Sequence, residues 1–276
     1  MEAVTVLQQA LAVLSGALVG FSLGLIGGGG SILAVPLLLY LVGYHDPHTV
    51  LGTTAAAVAA TAFINVIPHW RARNVRWKPG LAFALFGAAG AAGGAALGKS
   101  MPGKQLLFLF ALLMIFVAFT MLRSALRKPR VDGARSEDGG APAERSGLNA
   151  LLRAGPVALV VGGLSGFFGI GGGFLIVPGL IFATEMPIIN AIGTSLLSVG
   201  AFGATTALSY ALADKVNWLL AVEYFVGGAL GGWLGARLAT RLAVNRRALT
   251  LIFVGVVFVV ALYMLYMNAV ALKLIA

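Results

Sequence analysis

No cysteine occurs anywhere in the 276 residues, which removes disulfides, thiol nucleophiles, thiolate metal sites, haem attachment and iron–sulfur clusters together. Acids are nearly as scarce: nine Asp and Glu stand against 19 Lys and Arg, and 10% of residues are charged while 59% are hydrophobic. A chain so composed has more apolar side chain than a soluble domain can bury, and it reads as an all-α polytopic membrane protein. No Lys or Arg precedes Arg71, so the first apolar segment lacks the basic flank of a cleaved signal and is expected to remain as a membrane helix. Neither HExxH nor a cluster of acids is present to serve a membrane enzyme, and no GK[ST] follows a glycine run to make a P-loop. The net charge of +10 does not point to nucleic acid, because the basic residues sit at the ends of apolar segments, where they report topology. No cofactor is expected.

What is abundant is apolar length. Stretches near 4–26, 49–68, 79–98, 104–122, 188–212, 218–236 and 248–268 each match a hydrocarbon core of about 30 Å. Glycine is abundant too, and it is written twice. GFSLGLIGGGGSILAVP (20–36) lies over GGLSGFFGIGGGFLIVP (162–178) without a gap, so that six glycine and proline positions coincide. With one residue removed, LGTT (51–54) falls on IGTS (192–195), and NVRW (74–77) falls on KVNW (215–218). Gly87, Gly90 and Gly94 then fall on Gly228, Gly231 and Gly235. The chain therefore divides into a first transmembrane repeat (1–122), a linker rich in charge, Gly, Pro and Ser (123–153), and a second repeat (154–276).

Basic residues set the orientation. If the segments 69–78, 123–153 and 237–247 all face the cytoplasm, 15 of the 19 basic residues are inside, as the positive-inside rule favours. That arrangement needs the glycine-centred segment 155–184 to enter and leave on one side. Each half is then a glycine-tipped helical hairpin, or a pair of short helices, followed by three crossings. An odd net number of crossings makes the halves inverted repeats, a common plan among secondary transporters. The expected setting is the inner membrane, with the linker in the cytoplasm and both termini outside.

Glycine runs at membrane depth leave main-chain N–H groups without helical partners. The first free N–H groups and the positive dipole end of the following helix suit an anion there. Gly28, Gly29, Gly30 and Ser31, with Gly171, Gly172 and Gly173, are the candidates; close helix packing is the alternative use of such glycines. The hydroxyls of Gly52-Thr53-Thr54 and Gly193-Thr194-Ser195 either cap the helix they open or donate to an anion's oxygens. Asn65, His69 and Tyr210 are further polar candidates near the ends of crossings, and His69 and Glu223 are the groups that could couple a proton to transport. His45, Asp46 and His48 resemble a metal site only superficially, and no metal is expected.

The doubled GxxxGxxGxGGG…P with a downstream GT[ST], here GLIGGGGSILAVP with GTT and GFFGIGGGFLIVP with GTS, resembles the TauE/SafE family of sulfite exporters and anion permeases. The resemblance covers nearly the whole chain apart from the linker. It implies a transporter, not an enzyme, moving sulfur-containing anions such as sulfite or organosulfonates. GTT in place of GTS, and His69 opposite Tyr210, depart from the usual pattern. The partners expected are a small anionic substrate and the phospholipid bilayer, with a homodimer as one open arrangement. A passive anion channel, a carboxylate transporter and a non-transporting scaffold remain the alternatives.

Overall fold

The computed structural model describes residues 5–126, 148–171, 173–241 and 246–272; most of the linker and Gly172 lie outside the described residues. The first half runs α1 (Val6–Ile26), a 3₁₀ segment (Gly27–Leu33), the single turn α2 (Ala34–Pro36), a π-helical segment (Leu37–Leu41), α3 (Pro47–Arg71), α4 (Trp77–Ser100) and α5 (Gly103–Leu126). The second half runs α6 (Leu148–Phe168), α7 (Gly173–Thr184), α8 (Ile188–Ala211), α9 (Trp218–Arg241) and α10 (Arg246–Ala271). Among the described residues there is no strand, and seven helices are long and apolar enough to cross a membrane: α1, α3, α4, α5, α8, α9 and α10.

Local chemistry explains the boundaries. Thr5 and Gln8 form a reciprocal capping box at the start of α1, which satisfies two of the free N–H groups there. Asp46 caps α3 through the His48 N–H, and Pro47 takes the first helical position, where its missing N–H costs nothing. Gly27 ends α1 at φ 76° and Gly169 follows α6 at φ 66°, a region that side-chain-bearing residues rarely enter.

Both glycine tips reverse the chain. Gly30 lies against Ser22 and Leu23 of α1, and Ala34 accepts from the Tyr224 hydroxyl at the level of Gly16. In the second half Gly179 lies beside Val157 and Val161 of α6. Each tip is therefore the turn of a helical hairpin.

Two glycine-lined seams join the halves. Along α1 and α9, a Cβ on Gly20, Gly231 or Gly235 would overlap the carbonyl oxygen of Gly228, Ala17 or Phe21. Along α4 and α6, the same holds for Gly162, Gly90 and Gly94 against Gly87, Leu159 and Gly163. These six contacts are counterparts one by one in the sequence repeat. Lipid tails are as apolar as leucine, so close main-chain approach, rather than hydrophobic exclusion, holds such helices together.

Within each seam residue numbers rise together, so the paired helices run parallel. Between the seams α3 and α8 run antiparallel, with Gly52 beside Tyr210, Ala59 beside Gly203, Phe63 beside Gly200 and His69 beside Gly193. They are the innermost crossings, with 72% of their apolar windows buried against 33–50% in the other five. These directions gather Arg71, Arg73, Arg76, Lys78, Arg123 and Arg237 at one end of the bundle, hereafter the arginine end. Lys99, Lys104 and Lys215 are at the other, the lysine end. Trp70 and Trp77 pack edge to face at 6.0 Å, and Arg237 lies 3.5 Å over Trp233, at the arginine end, as an interfacial aromatic belt does.

The seams set a clear expectation. Gly231→Leu drives a side chain into the α1 backbone and is expected to cost upwards of roughly 4 kcal/mol, the range of severe core disruption. Gly93→Ala, where an added Cβ meets nothing within 4 Å, is expected to stay within about 0.5 kcal/mol of the parent. Thermal unfolding of the two variants in detergent checks the difference.

Candidate functional site

The repeated motifs meet crosswise. Gly27 of the first hairpin packs on Ile192, beside the GTS of the second half, while Gly169 of the second hairpin packs on Leu51, beside the GTT of the first. The Gly28 N–H donates to the Ser195 hydroxyl at 3.4 Å, and Ser31 donates to the Gly28 carbonyl at 3.0 Å. Gly28, Gly29, Gly30 and Ser31 are all buried. The 3₁₀ segment packs against α7, and Gly171 reaches Val58 and Val199 at mid-length of α3 and α8.

The tips themselves are not both at mid-depth. Gly27 lies toward the arginine end and Gly169 toward the lysine end, so each hairpin passes the middle of the bundle. The main chain after each tip then turns back inward. Gly173 begins α7, which aims the free N–H groups of its first turn, and the positive end of its dipole, toward the interior.

GTT and GTS lie in the second turns of α3 and α8 rather than opening those helices. Thr53 accepts the Asn217 N–H at 2.9 Å, and its counterpart Thr194 accepts the Arg76 N–H at 2.9 Å. Asn217 and Arg76 are the N-terminal boundaries of α9 and α4, so each hydroxyl caps a helix of the opposite half. Gly52 and Gly193 make room for the Lys215 and Asn74 carbonyls of the same two loops. Thr54 donates to the carbonyls of Val50 and Leu51, and Ser195 to that of Ile192.

The remaining candidates fall into separate places. His69 is buried near the arginine end beside Gly193, and its Nε2 has no partner; Asn65, one turn earlier, has an unpartnered Nδ2 next to Gly232. Tyr210 is buried at the lysine end, its hydroxyl unpartnered. Glu223 is in the second turn of α9, at the lysine end, with Oε2 buried and without a partner. The structure thus keeps Glu223 and His69 at opposite ends. Among the described residues no three of His, Cys, Asp and Glu stand together to hold a metal; Asp46 instead bonds to Thr49, to Lys215 and to the His48 N–H.

Ser198 is a residue that the sequence comparison passes over. It is fully buried at mid-length of α8, one turn on from Ser195, with its hydroxyl unpartnered. Its counterpart is Ala57, so a search for doubled polar positions misses it. Among the described residues no Asp, Glu, Lys or Arg is buried. The polar interior therefore consists of main-chain groups, hydroxyls, amides and the His69 imidazole.

Asp46 and Lys215 join the halves at 3.1 Å across the lysine end, with both side chains close to half exposed. Burial pushes the Asp46 carboxyl upward, but bonds from Thr49, Lys215 and His48 and the Lys215 charge outweigh it and hold its pKa below the ordinary value. A carboxyl more acidic in the folded chain stabilises fully above about pH 4 and loses that contribution as pH falls through its folded pKa. Asp46→Asn is accordingly expected to cost at most about 1 kcal/mol at neutral pH, shrinking under acid; melting curves at several pH values check this. A larger loss is expected for Thr53→Val or Thr194→Val, which leaves a helix-starting N–H unpaired at about 1–3 kcal/mol. Serine at either position is expected to restore most of the melting temperature.

Comparison with known proteins points to a membrane transporter. The family described as sulfite exporter TauE/SafE matches residues 12–264. A probable membrane transporter protein of Xylella fastidiosa is 49% identical over 252 residues, covering 91% of this chain and 93% of the relative. The probable membrane transporter protein YdhB of Bacillus subtilis is 31% identical over 222 residues, covering 80% and 86%. No solved structure matches. With the family match spanning nearly all ten helices, the chain belongs to the TauE/SafE family of membrane transporters.

Proposed function

We propose that the protein is a secondary permease for a small sulfur-containing anion, sulfite or an organosulfonate, working by alternating access. One observation carries the reading. The glycine runs of two hairpins lie buried against α3 and α8, the Gly28 N–H meeting the Ser195 hydroxyl, with Ser31 and Ser198 hydroxyls buried nearby in the chain and no buried Asp, Glu, Lys or Arg among the described residues. A sulfonate or sulfite offers several oxygens to such donors, and its charge is met by helix ends. A permanent guanidinium in the same place would hold the anion more strongly and slow its release.

The halves act as inverted repeats, with the arginine end in the cytoplasm as the positive-inside rule directs. Rocking one half against the other parts the Thr194–Arg76 contact at one end and the Thr53–Asn217 contact at the other in turn. The anion waits between the hairpins while the ends exchange. His69, buried toward the cytoplasmic end, is the group placed to carry a coupling proton.

Counterflow in liposomes tests this. Labelled sulfite or sulfoacetate is expected to exchange against unlabelled anion without net current, which a passive channel does not do. Gly29→Leu, and Gly172→Leu in the second hairpin, are expected to abolish exchange while the protein still elutes as a folded particle in detergent. Unchanged exchange in both variants would remove the glycine runs from the site. Exchange of carboxylates alone would remove sulfur from the substrate.

A further inference from the structure

At the lysine end, donors from three helices gather round one ring. Tyr210 on α8 is fully buried with an unpartnered hydroxyl. Over its ring, at 5.9 Å from the centroid, stands the Lys99 ammonium of α4, anchored by a 2.7 Å bond to the Ser209 carbonyl. From α3 the His48 imidazole stacks on the same ring at 6.3 Å between centroids, its Nδ1 buried and unpartnered. The nearby carboxylate, Asp46, is already engaged by Thr49, Lys215 and the His48 N–H.

Two buried polar atoms around this ring, the Tyr210 hydroxyl and the His48 Nδ1, are therefore left without partners. An ammonium has three N–H donors, and Lys99 uses one on a carbonyl. A phenol hydroxyl buried without a partner loses the hydrogen bond it makes in water, which a ligand oxygen would restore. The two positions are not repeated in kind: the sequence counterpart of Tyr210 is His69, and that of Lys99 is Thr240.

We propose that Lys99, Tyr210 and His48 form a docking site for a small oxyanion at the lysine end, distinct from the glycine runs. The ammonium supplies the charge, the phenol and the imidazole in its Nδ1–H tautomer supply directed bonds, and an anion held there draws α3 and α4 of one half toward α8 of the other. Its ligand class rests on the anion reading above; its location does not. The site gives the pathway unequal ends, since the Lys99 and Tyr210 pair has no like-for-like counterpart in the other half.

Titration of the purified, full-length protein with sodium sulfite, sulfoacetate and acetate at constant ionic strength, followed by thermal shift and calorimetry, tests the site. Lys99→Gln keeps a donor for the Ser209 carbonyl but no charge, and Tyr210→Phe removes a hydroxyl that has no protein partner. Each is expected to raise the Kd tenfold or more, while Lys104→Gln, an equal charge change at the same end, leaves it within twofold. Equal binding by wild type and both variants would overturn the site, as would an equal loss in Lys104→Gln, which would mean diffuse surface charge. If Lys99→Gln does not fold, Tyr210→Phe decides alone. Lys99-dependent binding of acetate without any response to sulfite or sulfoacetate would keep the site and sink the sulfur-anion reading. No binding of any probe by the wild type would sink both.

Discussion

Main-chain approach without side chains is the constraint from which the rest of the fold follows. In hydrocarbon a carbonyl oxygen finds no water, and two helices gain little by hiding apolar surface from lipid that is equally apolar. The remaining sources of cohesion are dispersion and weak polar contact at short range, and these need backbones to meet. Gly20 on Gly228, and Gly162 on Gly87, are where they do. Because these contacts pair α1 with α9 and α4 with α6, each half completes its packing only on the other. The glycine-rich turn of the first hairpin is buried as a result, while the outer faces of α1 and α6 stay exposed at Leu14, Leu18, Leu159 and Val160.

The same crossing governs the hydroxyls. Thr53 and Thr194 hold the starts of α9 and α4 across the halves through neutral hydrogen bonds, each of modest net worth. The lysine end adds an ion pair, and it is a solvated one. Ties of that strength order an end of the bundle at a modest cost to undo. The interior, with hydroxyls and N–H groups in place of fixed buried charge, avoids the desolvation cost that a permanent buried ion would carry through the cycle.

Much of this was legible in the sequence. Hydropathy and length located the seven crossings to within a few residues, because a bilayer imposes one length on every helix. The glycines that line the seams were legible as repeated positions, Gly87, Gly90 and Gly94 over Gly228, Gly231 and Gly235, and the hairpins from the charge balance. What the sequence comparison could not display was partnership. Aligning LGTT with IGTS matches like with like, and it does not say that each tip rests on the motif of the other copy. Nor could it place Gly27 and Gly169 at opposite ends of the α3–α8 pair, since depth follows from how far α1 and α6 run before the positive-φ turn. Ser198 and Lys99 escaped for a related reason. Their counterparts are Ala57 and Thr240, and a reading guided by duplication weighs the shared positions above the unshared ones, where the two ends acquire different chemistry.

The exchange of partners between halves also bears on how the chain is made. Helix α1 finds its seam only after α9 has been synthesised, for Gly16 packs on the Tyr224 main chain and Gly20 on that of Gly228. Until then α1 waits in the bilayer with its glycine face bare, and α4 waits likewise for α6. Insertion and assembly are therefore separate stages, and the nascent first half is a set of inserted helices whose interface does not yet exist. Closing loops of this span comes late in folding. A truncated product ending at the linker would be inserted in the membrane yet unassembled, open to quality-control proteases.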